Sequence, residues 1–89
     1  MAAPPPTTAT MKLHLDLLLE TDAETLRRVF TVVAEHAHEV LALRWDPAPQ
    51  REAARTTLSI QGSGSPRELL MALLREPSVR EASVLHRRA

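Results

Sequence analysis

Eighty-nine residues suffice for one small domain, and without cysteine the chain can use neither disulfides nor thiolate metal sites. Lysine plus arginine equals aspartate plus glutamate at 11 each, so net charge offers no electrostatic grip on nucleic acid or an anionic membrane. The apolar runs are a few residues long, far short of a membrane span, and a core this small is commonly supplemented by oligomerisation.

The start, "MAAPPPTTAT", lacks the basic flank and apolar stretch of a signal peptide. Residues 1–10 therefore read as a disordered tail of a cytoplasmic protein, ahead of one domain at 11–87. In "MKLHLDLLLE", Leu13, Leu15, Leu17 and Leu19 alternate with Lys12, His14 and Asp16, the period of a half-buried strand. "TDAE" supplies a helix start: Thr21 or Asp22 can cap, and Glu24 stands three residues after Thr21 as a capping box requires. Leu26, Val29, Phe30 and Val33 follow as one apolar stripe, with Arg27 and Arg28 on the solvated side.

"HEVLALRW" predicts a second strand, closed by a turn at "DPAPQRE". "ARTTLSIQ" predicts a third, with Thr56, Leu58 and Ile60 on one face and Arg55, Thr57 and Ser59 on the other. "GSGSPRELL" allows a sharp turn and then starts a helix, with Ser65 as cap, Pro66 at the first helical position and Glu68 completing a capping box. Leu69, Leu70, Leu73 and Leu74 form its apolar stripe, and Pro77 stops it after Glu76. "SVREASVLHR" predicts a last strand with a bulge, since Val79, Ala82, Val84 and Leu85 do not alternate cleanly. The order βαββαβ predicts an α+β, ferredoxin-like sandwich: two helices on one face of a four-stranded antiparallel sheet.

Fold alone does not assign chemistry. A metal carrier of this fold wants a C-x-x-C loop, and the chain has no cysteine. An RNA reader wants aromatics on its middle strands, but the only aromatics are Phe30 and Trp45. An acylphosphatase-type site wants a catalytic asparagine, which is absent from the chain, and "GSGS" lacks the lysine of a phosphate loop. His36 and His38 read as solvated turn residues without a convincing third metal donor. His14 and His86 fall on neighbouring strands, and no serine–histidine–acid set stands out. The chain is expected not to be an enzyme.

"ETLRRVFTVVAEHAHEV" resembles the first helix and second strand of ACT domains, the small regulatory modules of amino-acid metabolism. "ARTTLSIQG" and "SPRELLMALLREPSVREASVL" are similar to the third strand and to the second helix with the last strand. The likeness covers residues 12–86. Within that family, a single module of this length is most similar to the regulatory small subunit of acetohydroxyacid synthase (acetolactate synthase), which carries "P/D-x-E-T-L-x-R-V" at its first helix. The C-terminal module of MgtC-type membrane proteins is a look-alike.

The resemblance implies an ACT-like homodimer with edge strands side by side. It also implies that the chain binds and activates a catalytic large subunit in branched-chain amino acid biosynthesis. Thiamine diphosphate, magnesium and FAD would belong to that partner, with no cofactor or metal in this chain. Regulation would then be a coupling free energy between sites. The family's amino-acid site lies between the first strand–helix loop and the start of the partner's second strand, and by position it takes in Glu20, Thr21, Asp22, Ala23, Glu24, His38 and Glu39. Where the family favours glycine, glycine and asparagine, this chain has Glu24, Ala37 and Glu39. Two carboxylates beside a ligand carboxylate argue against tight valine or isoleucine binding. The alternative is a free-standing homodimeric amino-acid sensor.

For the interface, Leu18 and Leu43 are expected on the helix-free face of the sheet. With Trp45, placed late on an edge strand, they would form an apolar contact patch.

Overall fold

The computed structural model describes residues 10–48, 50 and 52–88, so the predicted tail lies, apart from Thr10, outside the described residues. Six elements follow in order: β1 (Met11–Glu20), α1 (Ala23–Glu35), β2 (His38–Ala48), β3 (Ala53–Gly62), α2 (Pro66–Leu74) and β4 (Val79–Arg88). The sheet runs β2-β3-β1-β4, and every neighbouring pair is antiparallel. With both helices packed on one face, this is the predicted ferredoxin-like arrangement.

The leucine alternation of β1 builds the core. Leu13, Leu15, Leu17 and Leu19 all point at the helices and are shut off from solvent, beside Leu58 and Ile60 of β3. Val29, Val32 and Val33 of α1 close over them, as do Leu69 and Leu73 of α2. Each such side chain removed from water stabilises the fold by roughly 1.5–3 kcal/mol. This layer is the main force holding helices to sheet.

The other face of the sheet is polar. Ser59 and His14 hydrogen-bond across strands at 2.9 Å, Gln61 donates to Glu39 at 2.7 Å, and Arg55 pairs with Asp16. Leu18 is the exception: it alternates onto this face yet is only 1% exposed, and it stands outside the main core cluster.

Each helix begins at a side-chain cap. Asp22 Oδ1 accepts from the Glu24 N–H at 2.8 Å, and Ser65 Oγ from the Glu68 N–H at 3.2 Å, with Pro66 opening α2. The buried stripe of α1 is Thr25, Val29, Val32 and Val33, which corrects the expected stripe of Leu26, Val29, Phe30 and Val33. A helix turns about 100° per residue, so Phe30 lies on the flank next to Val29. Arg28 pairs at 3.2 Å with Glu76, just past the end of α2, while Phe30 faces the β2 side and is 41% exposed. In α2 the buried residues are Leu69 and Leu73, and Leu74 is exposed. That helix ends at Leu74, with Arg75 as its C-cap, one turn short of Pro77.

β2 runs on through Asp46 and Pro47 to Ala48, into the segment expected to be a turn. It is an edge strand, where a residue lacking an N–H is tolerated. The expected irregularity in β4 is present as two register shifts against β1, at His14/Leu15 and Leu18/Leu19.

Candidate functional site

The turn from α1 to β2 is built from His36, Ala37 and His38, and it interlocks with the β3–α2 turn at Gly62–Ser63–Gly64. His36 donates from Nδ1 to the Val32 carbonyl oxygen at 2.9 Å. His38 donates from Nε2 to the Gly64 carbonyl oxygen at 3.0 Å and is 6% exposed. The Ser63 N–H donates to the Ala37 carbonyl at 3.1 Å. A Cβ on Gly62 would overlap the Ala37 carbonyl oxygen, and one on Gly64 that of His36. Here glycine serves close backbone approach. His36 and His38 are therefore structural clasps rather than solvated turn residues. Ala37 itself sits at φ 61, the left-handed region where glycine is the comfortable residue.

The residues expected around a small ligand fall into two groups. Glu20, Thr21 and Asp22 line an open groove of about 710 Å³ with Pro47, Glu52, Ala53 and Arg80. The Glu20 carboxylate lies 3.9 Å from the Arg80 guanidinium, Asp22 caps α1, and Glu24 pairs with Arg27 at 3.2 Å. Ala23 is the first residue of α1. His38 and Glu39 stand at the other end of the sheet, because His38 pairs with Gly62 and Gly62 with Met11, whereas Glu20 pairs with Ala53. Ten residues of strand, about 30 Å, separate the groups. One chain does not bring them together.

The three expected interface residues also part company. Leu18 is buried. Leu43 and Trp45 pair with Leu58 and Thr56, which places them on the helix side of the sheet and corrects their expected position on the helix-free face. A register shift in β2 between Val40 and Ala42 is the reason. It inserts Leu41 as an extra residue, and every later side chain changes face relative to simple alternation.

Most of the exposed large apolar residues lie instead toward the two edges, with Met71 of α2 a further exposed one. Along β2, Leu41 and Leu43 lie exposed, and Phe30, Val33, Ala34 and Val40 line an apolar hollow between α1 and the strand. Leu74, Val84 and Leu85 are exposed on α2 and β4, at the opposite edge. Phe30 and Leu41 were absent from the sequence-level surface. Helical position marks Phe30 as a flank residue, but Leu41 leaves no such signal, since a bulge is set by pairing.

Among the described residues, no three His, Asp or Glu side chains are grouped so as to hold a metal ion, and no helix is long and apolar enough to cross a membrane. His14 and His86 are register partners across β1 and β4, and the His86 side chain lies outside the described residues. No family model matches the chain, and no curated protein matches it significantly.

Proposed function

We propose that the chain is a non-catalytic regulatory module that works by binding other protein chains. On the resemblance of residues 12–86, its partner is the catalytic large subunit of acetohydroxyacid synthase, which it activates as the small subunit. The observation that carries the binding role is the gathering of exposed apolar side chains on two opposite edges: Phe30, Leu41 and Leu43 at one, Leu74, Val84 and Leu85 at the other. Clustered apolar residues on a small domain mark contact surfaces more often than scattered ones do. Two edges allow two kinds of contact at once, one with a second copy and one with the enzyme.

Tight feedback binding of valine or isoleucine is not part of this reading. Glu24 already pairs with Arg27, and Glu39 already accepts from Gln61, so both carboxylates have structural partners.

The test is affinity capture of the tagged full chain from its native cell extract, followed by mass spectrometry. Recovery of a large thiamine-diphosphate enzyme whose rate rises with added chain supports the reading. Recovery of the bait alone sinks it. A melting point raised by one of the twenty amino acids would then favour the free-standing sensor.

A further inference from the structure

Among the described residues, five arginines pair with an acid: Arg27 with Glu24, Arg28 with Glu76, Arg44 with Asp46, Arg55 with Asp16 and Arg80 with Glu20. Arg67 and Arg75 pair with no described acid, and both are exposed. Arg67 lies in the first turn of α2, Arg75 is its C-cap and Met71 stands midway, so the three share one stripe of the helix. Met71 is two residues from each of the buried Leu69 and Leu73, about 160° round the helix from both. An apolar side chain, 48% exposed, therefore tops the face that an amphipathic helix normally gives to polar residues. With His36, Ser65 and Glu68 the stripe lines a groove of about 560 Å³. His36 Nδ1 already donates to the Val32 carbonyl, and Ser65 caps α2. Glu68 is the one acid in the lining.

We propose that this stripe docks an acidic amphipathic helix of a partner protein: two of its carboxylates meet Arg67 and Arg75, and an apolar side chain between them covers Met71. This rests on the binding role above and adds a contact outside both apolar edges. Eight residues at 1.5 Å each set Arg67 and Arg75 about 12 Å apart along the axis, so the partner's carboxylates stand seven or eight residues apart on its own helix. A strand laid on this layer would find no backbone to pair with, because the helices satisfy their own hydrogen bonds, whereas a helix brings its own. Two separated cations beside Glu68 suit single carboxylates better than the continuous charge of a nucleic-acid backbone. Exposed ion pairs contribute little free energy, so the arginines select the partner and burial of Met71 holds it. Methionine is unbranched and adapts to the surface that covers it.

The probe is an alanine-based helical peptide with two glutamates eight residues apart and a leucine midway. It is titrated into the full chain and followed by NMR. Amide shifts are expected at His36, Arg67, Met71 and Arg75. A peptide with serine in place of leucine, or lysines in place of the glutamates, is expected to bind about tenfold more weakly or not at all. Arg67→Glu combined with Arg75→Glu is expected to weaken binding of the glutamate peptide by about tenfold, with an unchanged melting curve, and to favour the lysine peptide.

Shifts centred elsewhere overturn the proposal, and so does a double variant that binds the glutamate peptide as well as the wild-type chain does. Equal binding of the serine peptide also overturns it, since the stripe would then be a bare anion patch. If the double variant captures the large enzyme from cell extract as the wild-type chain does, this contact alone fails. A wild-type chain that binds the peptide at the stripe but captures no enzyme overturns the regulatory reading and leaves the docking site in place.

Discussion

His38, the first residue of β2, donates from its Nε2 to the carbonyl oxygen of Gly64, 26 positions further along the chain. That bond ties the turn after α1 to the turn before α2. The His38 ring is buried, its Nδ1 has no hydrogen-bond partner, and it packs where a Cβ on Gly62 would stand. His38→Ala removes the bond and leaves a cavity, and it is expected to lower stability by about 2 kcal/mol. Urea unfolding of the two chains measures this directly.

The same contact makes a sharper prediction for the glycines. Gly62→Ala and Gly64→Ala each drive a methyl group into a backbone carbonyl, which a side-chain rotation cannot relieve. Each is expected to cost more than about 2 kcal/mol, well above the usual effect of a surface substitution. Circular-dichroism melts would show both variants largely unfolded at temperatures where Arg67→Ala, at an exposed position of α2, leaves the fold intact.

Ala37 should respond in the opposite direction. It holds a left-handed φ of 61 just past the end of α1, where helices commonly place glycine. Ala37→Gly relieves that strain and is expected to raise stability by about 0.5–1 kcal/mol. A lower urea midpoint in the glycine variant would contradict the strained geometry.

Thr56 lies fully buried on the helix side of β3, and its hydroxyl has no partner. Thr56→Val keeps the β-branched shape and removes an unsatisfied polar atom. The expected gain is about 1 kcal/mol, since an unmet buried donor costs roughly 1–3 kcal/mol. Differential scanning calorimetry reads the shift.

Trp45 and Phe30 separate folding from binding. Trp45 packs against the core from the edge strand, so Trp45→Ala is expected to lower monomer stability by about 2 kcal/mol or more. Phe30 is exposed on the flank of α1, and Phe30→Ser should change stability by less than about 1 kcal/mol while weakening self-association. Sedimentation and melting of the two variants side by side distinguish the roles.

The order of elements, the capping residues and the alternating leucines of β1 are local properties, and the sequence by itself determined them. Asp22 and Ser65 cap because their short polar side chains reach free N–H groups a few residues away, and Leu13 to Leu19 share a face because a strand has a period of two. The β3 faces were legible for the same reason.

Only the tertiary structure decided which flank of each helix faces solvent, where β2 inserts Leu41, and that His38 and Gly64 meet. Helix periodicity leaves two adjacent stripes nearly equivalent, and packing of Val29, Val32 and Val33 against the sheet and α2 selects one. A bulge is a property of two paired strands, so nothing within "HEVLALRW" announces it. The exposed apolar edges follow from both choices. They arise where long-range packing, rather than local pattern, sets which side chains are left without a neighbour.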